Sequence, residues 1–184
     1  MTTIDEMARY MADEDAGLCG EFLAYMELQV PAPCRCLWNL EIPKAKGQYS
    51  QVDLLLIHTT GLYVLESKNY SPCRVYGDEE RANWKVFYSK NRGYPIYSTY
   101  LQNEGHITAL RNYIGYPVPM KSILVYSNQS KLLIKRAANS KAVYCHYNSL
   151  GNVMRMHASQ GKPCLDDEEV SLLYQLLRPL ASLR

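Results

Sequence analysis

A carboxylate at Asp53, a second at Glu66 and an ammonium at Lys68 bracket the two apolar runs of "VDLLLIHTTGLYVLESK". Side chains alternate along a strand, so Glu66 and Lys68 project to one side while Ser67 goes to the other. A two-residue turn at Thr59-Thr60 sets Asp53 opposite Glu66, and one at Thr60-Gly61 sets it opposite Lys68. Both registers put the three groups on one face, on strands about 4.8 Å apart. Two carboxylates that close repel unless a proton or a cation lies between them. A hard divalent cation, Mg²⁺ or Mn²⁺, resolves this with waters in its remaining positions and contacts to substrate phosphates. Lys68 then orients a water or meets charge on a phosphorane-like transition state. This is equipment for metal-assisted phosphodiester hydrolysis. Glu-x-Lys by itself is an ordinary strand-end ion pair; the Asp thirteen positions earlier, across an apolar hairpin, is what makes the cluster informative.

The elements that must position these residues are legible in part. Leu54 to Ile57 are apolar on successive positions, which predicts a strand covered on both faces, in the middle of a sheet flanked by helices. "HTTG" is the turn of its hairpin. "CLWNLEI" (36–42) reads as a short strand, and "KAKGQYSQ" as a loop or hairpin connection. "KSILVYSN" (121–128) and "KAVYCHY" (141–147) read as further strands. Leu18, Phe22 and Met26 form one stripe of a helix over about 14–29, ending before Pro31. A second helix is expected over 97–115, with Leu101, Ala109, Leu110, Tyr113 and Ile114 at helical spacing and a stop at Gly115. A third is capped by Asp166, with acids in its first turn and Val170, Leu173, Leu176 and Leu177 facing the core. The sum is a mixed α/β sandwich around a central sheet.

With 184 residues the chain suits one domain, and 47% hydrophobic with 21% charged residues is the balance of a globular protein, not a disordered one. No apolar run approaches the ~20 residues of a membrane span, and the acidic N-terminus lacks the pattern of a secretory signal, so the cytoplasm is the expected compartment. The cysteines at 19, 34, 36, 73, 145 and 164 show no framework spacing and are read as free thiols; Cys34-Arg35-Cys36 is too tight for a zinc knuckle. His58, His146 and His157 show no partner pattern and are read as structural, and the sixteen tyrosines are given no role. The net charge of +2 is unevenly placed: residues 81–141 hold ten Lys or Arg and one acid, Glu104, whereas the first thirty hold seven acids and one base. A basic central stretch fits a polyanion. Lys85, Lys90, Arg92 and Arg111 are its candidate nucleic-acid contacts, with DNA the expected partner and RNA the alternative. No membrane partner is expected, and nothing in the sequence addresses oligomeric state.

The order Gly20-Glu21, Gln51-Val52-Asp53, an apolar hairpin, "ESKNY", Trp84 and then "LQNEGHITAL" resembles the nuclease-related domain, NERD, of the PD-(D/E)XK nuclease superfamily. The likeness runs from about residue 20 to 115. Val52 stands where the superfamily name has proline, and Ser71-Pro72 follows the lysine where glycine is more usual. The resemblance implies a restriction-endonuclease-like core, a central mixed β-sheet flanked by helices, a divalent-metal site and a role in DNA processing. It implies Glu21, Asp53 and Glu66 as the metal-binding acids, Lys68 as the catalytic lysine and Gln102 as a helix-borne polar residue beside them. Gln102 and His106 lie one turn apart on a shared face. Either they bond the sheet or a loop, or Gln102 meets a metal-bound water and His106 a phosphate. The domain reading is one unit over 1–184, with a motif-bearing core of about 15–130 and a C-terminal strand and helix extension of 131–184. The expected function is a metal-dependent DNA nuclease, with an inactive interaction module on the same fold as the alternative and small-nucleotide hydrolysis behind both.

Overall fold

The computed structural model describes residues 30, 34–70, 72–90 and 92–181; the helix expected over 14–29 and Glu21 within it lie outside them. The hairpin organises the rest. β2 (Tyr49–His58) and β3 (Gly61–Lys68) pair antiparallel around a two-residue turn, with His58 opposite Gly61 and Leu54 opposite Leu65. The first of the two registers considered is therefore the one adopted. At Gly61 φ is +117°, and a Cβ there would meet the Pro119 carbonyl oxygen at 2.5 Å, so only glycine fits where the turn passes beneath that chain. β1 (Cys34–Pro43) pairs antiparallel with the outer side of β2. On the other side β7 (Met120–Tyr126) runs parallel to β3, and β9 (Val143–His146) parallel to β7. The resulting mixed sheet has the order β1-β2-β3-β7-β9.

Among the described residues, three helices cover it. α1 (Thr99–Ile114) is capped by the Ser98 hydroxyl, which accepts from the Leu101 amide, and ends at Gly115 in the left-handed region, φ 77°. α3 (Asp167–Leu177) begins with a reciprocal box in which Asp166 accepts from the Glu169 amide and Glu169 from that of Asp166. These two helices bury Ile107, Leu110, Ile114, Val170, Leu173 and Leu177 against Leu55, Ile57, Leu62 and Val64 of the sheet. α2 (Tyr147–Gln160) packs Leu150 and Met154 on the opposite face, against Leu54, Leu56, Tyr63 and Leu65. Coverage of both faces is why Leu54–Ile57 and Leu62–Leu65 are apolar on successive positions. One core assignment is corrected: Leu176 is 42% exposed, because the helix phase that buries Leu173 and Leu177 turns it to solvent. Among the described residues no helix is long and apolar enough to cross a membrane.

Beyond Lys68 the chain forms a second sheet that the sequence reading had not drawn. β4 (Cys73–Asp78) and β8 (Ser130–Lys135) follow β3 and β7 after short breaks and stay parallel, while β5 (Asn83–Phe87) and β6 (Gly93–Tyr97) add antiparallel, giving β6-β5-β4-β8. Its inner face buries Val75, Trp84 and Val86 against Leu124 and Tyr126 of β7. At the break the Ser127 amide donates to the Lys68 carbonyl at 3.1 Å. Lys68 thus stands where one sheet gives way to the other.

The described cysteines, Cys34, Cys36, Cys73, Cys145 and Cys164, are unpaired thiols. Burial pushes the Cys36 and Cys145 thiols up from 9.0 to about 12. The unfolded chain therefore ionises them first, binds fewer protons than the native state above about pH 9, and gains stability relative to it as pH rises. Each thiol is expected to erode folding stability by up to ~1.4 kcal/mol per pH unit in this window. Thermal melts between pH 8 and 10 should show the midpoint falling, and Cys145→Ala should flatten that slope; an unchanged slope refutes the assignment.

Candidate functional site

Continuing the hairpin register by one residue sets Asp53 opposite Glu66. The β1–β2 ladder skips one pair here: Trp38 faces Leu54 and Leu40 faces Val52, while Asn39 takes a positive φ of 48°. Asparagine tolerates that conformation better than most residues. The alternation of faces resets at this point, since Val52 and Leu55 belong to the same core cluster while Leu54 belongs to the other. Asp53 therefore sits at a local irregularity in an otherwise regular strand, and its Oδ2 accepts from the Ser67 amide at 2.8 Å. Side-chain-to-backbone capture of this kind holds a carboxylate in one place.

Glu66 is fully buried. Its Oε1 accepts from Lys68 Nζ at 2.5 Å. Its Oε2 faces His106 Nε2 at 3.1 Å, yet neither atom has a well-angled hydrogen bond. The other ring nitrogen, His106 Nδ1, is hydrogen-bonded to the Ser50 hydroxyl at 2.7 Å. A chain Ser50–His106–Glu66–Lys68 thus links β2, α1 and β3. Burial pulls the Lys68 ammonium down, but the charges of Glu66 and Asp53 and the hydrogen bond to Glu66 outweigh it and hold the group above the ordinary lysine range. At neutral pH Lys68 is a cation with no lone pair to offer as a base. It can donate hydrogen bonds and offset negative charge.

A second buried acid shows what a satisfied carboxylate looks like in this fold. Glu79 Oε1 accepts from Ser140 Oγ at 2.9 Å and the Tyr144 hydroxyl at 2.8 Å, and its Oε2 from the Ala137 amide at 2.8 Å. It staples the β8–β9 connection. Glu66 differs in keeping one oxygen without such a donor, and buried oxygens are rarely left so. Among the described residues no three His, Cys, Asp or Glu side chains form a ready ligand cluster. Asp53 and Glu66 nevertheless supply the one or two carboxylates with which Mg²⁺ is held beside waters and substrate phosphates. The donor chemistry and the orphaned Glu66 oxygen fit a hard divalent cation.

Gln102 is half-buried in the first turns of α1, one turn before His106. His106 has both ring nitrogens turned to the sheet, Nδ1 to Ser50 and Nε2 to Glu66. Lys85, Lys90, Arg92 and Arg111 are all exposed, on β5, in the β5–β6 connection and on α1; Arg92 lies over the Tyr94 ring at 5.2 Å. Sequence reasoning missed a polar seam between α1 and the sheet. The Asn103 amide donates to the Val64 carbonyl and to Ser122 Oγ, both at 2.9 Å, and Thr99 and Tyr126 are buried hydroxyls on the same side. The signal was available: Thr99, Asn103 and His106 recur at helical spacing on a helix whose remaining inward positions are apolar.

A mixed sheet flanked by helices, with an acid–acid–lysine cluster where β3 ends, defines a restriction-endonuclease-like core. The model of the nuclease-related domain matches residues 16–127, more than half of the chain, and the chain belongs to the NERD family. It is also 25% identical over 143 residues to the uncharacterized protein pXO1-01 of Bacillus anthracis, covering 77% of this chain and 64% of that protein. No solved structure matches.

Proposed function

We propose that the chain is a divalent-metal-dependent nuclease that hydrolyses DNA phosphodiesters. The observation that carries this reading is the convergence on Lys68 of the charges of Glu66 and Asp53, at the end of a strand whose preceding side chains, Leu62 to Leu65, are apolar core. A charged group is buried at such cost that an arrangement of three calls for a purpose other than stability.

In this reading Asp53 and Glu66 are the metal ligands, with Glu21 as a third acid contributed from outside the described residues. When bound, Mg²⁺ or Mn²⁺ would polarise a phosphoryl oxygen and lower the pKa of a water. The protein's own groups do the rest. The Ser67 amide holds Asp53 in place. Ser50 and His106 fix the orientation of Glu66. Lys68, kept protonated, orients the attacking water by donating to it and meets the charge that grows on the phosphoryl oxygens. Gln102 donates or accepts at the same water, and exposed Lys85, Lys90, Arg92 and Arg111 hold the phosphate backbone.

The test is direct. Purified protein is incubated with plasmid, linear and single-stranded DNA and with RNA, in Mg²⁺, Mn²⁺ or EDTA. Cutting that requires the metal supports the nuclease. Salt-sensitive binding without cutting under any condition would sink it and leave an interaction module on the same fold.

A further inference from the structure

The second sheet has two unlike faces. One is buried core, while directly paired residues on the other bring Arg74 beside Phe87 and Lys131, and Tyr76 beside Lys85. Tyr76 is 41% and Tyr97 57% exposed on this side, and Tyr97 pairs with Asn83 two residues before Lys85 on the same strand. The rings are organised: Tyr76 meets Phe87 edge-on at 5.2 Å, and the Arg74 guanidinium lies over Phe87 at 5.6 Å. Among the described residues neither Lys85 nor Lys131 has an ion-pair partner. The acids near this face are already engaged: Asp78 by Lys135 at 3.3 Å and Arg81 at 3.6 Å, and Glu80, in the turn after β4, by Lys135 at 3.5 Å.

Aromatic rings gathered in the open on one sheet face are poorly explained by packing, and Lys85 and Lys131 beside them give that face a positive charge that no acid among the described residues offsets. A duplex shows a protein its phosphates and groove edges, with base faces stacked away, so it would use the cations and leave the rings idle. Unstacked bases use both, since every base offers a π-face and every linkage a charge. We propose that the solvent face of β4, β5, β6 and β8 is a platform for single-stranded nucleic acid, with Tyr76 and Tyr97 stacking on bases and Arg74, Lys85 and Lys131 holding phosphates. This deepens the nuclease reading by naming the strand form of the substrate, and it rests on that reading for taking the polyanion to be nucleic acid. The platform lies on the face of the second sheet opposite the one packed against β7, so it gathers the strand apart from the Asp53–Glu66–Lys68 cluster.

Fluorescence anisotropy with a labelled 20-nucleotide oligo-dT, in EDTA so that nothing is cut, reads the platform alone; the same length of duplex is the comparison. The single strand should bind roughly tenfold or more tightly than the duplex. Tyr76→Ala and Tyr97→Ala should each raise Kd about fivefold or more without changing the salt slope, and Tyr76→Phe should restore affinity. Lys85→Ala should lower the salt slope by about 0.7. Circular dichroism verifies folding of each variant. Equal binding of duplex, or affinity indifferent to both tyrosine substitutions, overturns the platform. The two readings fail separately: metal-dependent cutting with tyrosine-independent binding removes the platform alone, and tyrosine-dependent binding without cutting removes the nuclease alone.

Discussion

Lys68→Ala is expected to lower the rate of metal-dependent phosphodiester cleavage by about two to three orders of magnitude, the effect of removing one preorganised donor from the place where charge develops. Its affinity for oligo-dT in EDTA should stay within about twofold, because the lysine is spent on Glu66 and Asp53 in the resting protein. Asp53→Asn should show a comparable loss for a different reason. The amide oxygen still accepts from the Ser67 N–H, so the side chain stays where it is, but its negative charge is gone. Single-turnover rates with protein in excess separate the chemical step from product release. A drop smaller than about tenfold in both variants would remove these residues from the reaction.

The second large effect is on stability. Lys68→Met leaves the Glu66 carboxylate fully buried without its cation, and a buried charge stripped of its partner costs roughly 3–5 kcal/mol. His106 at 3.1 Å offers partial compensation, which places the expectation at the lower end, about 3 kcal/mol. The double variant Lys68→Met/Glu66→Gln should recover most of the loss, since neutralising both partners removes the unpaired charge. The pH dependence has a defined sign. Because the folded protein holds the Lys68 proton more tightly than the unfolded chain, the pair's contribution is complete below the lysine's ordinary value of 10.5 and is lost as pH rises through its higher folded value. Urea unfolding at pH 7 and above 11 should therefore show the difference between wild type and Lys68→Met shrinking at the alkaline end. A cost below about 1 kcal/mol at neutral pH would mean that Glu66 is compensated by something other than the lysine.

The two effects draw on one arrangement. A carboxylate–ammonium pair that a stability argument alone would replace by Met and Gln has been kept beside a second carboxylate, which is the pattern expected where a fold trades stability for chemistry. The Ser50–His106 link reinforces it: both residues are largely buried, Ser50 bonds one ring nitrogen of His106, and the other ring nitrogen faces Glu66 at 3.1 Å. Because the chain spans 64% of the length of its relative from Bacillus anthracis, the activity proposed is that of this domain.

The hairpin was legible because its information is local. Eight apolar positions around a two-residue turn specify the strands and a shared side for Asp53, Glu66 and Lys68 without reference to the rest of the chain, while the choice between the two registers was left to the structure. The helices at 99–114 and 167–177 were legible for the same reason, through a 3.6-residue period, a stop at Gly115 and a cap at Asp166. The second sheet was hidden because its strands are only five or six residues long, carry Arg, Lys and Gly, and are completed by pairing between segments more than fifty residues apart. The helix at 147–160 was missed because only Leu150, Gly151, Met154 and its first residue Tyr147 are buried, too sparse a stripe to declare itself.

The sequence by itself determined which groups could do chemistry and which strand ends would carry them, since periodicity two and a tight turn leave little freedom. Tertiary structure alone decided how those charges are shared out: that Ser67 takes Asp53, that His106, held by Ser50 of a neighbouring strand, reaches Glu66 from a helix, and that Lys68 remains charged. Burial and approach between distant segments set those energies, and neither is encoded in spacing along the chain.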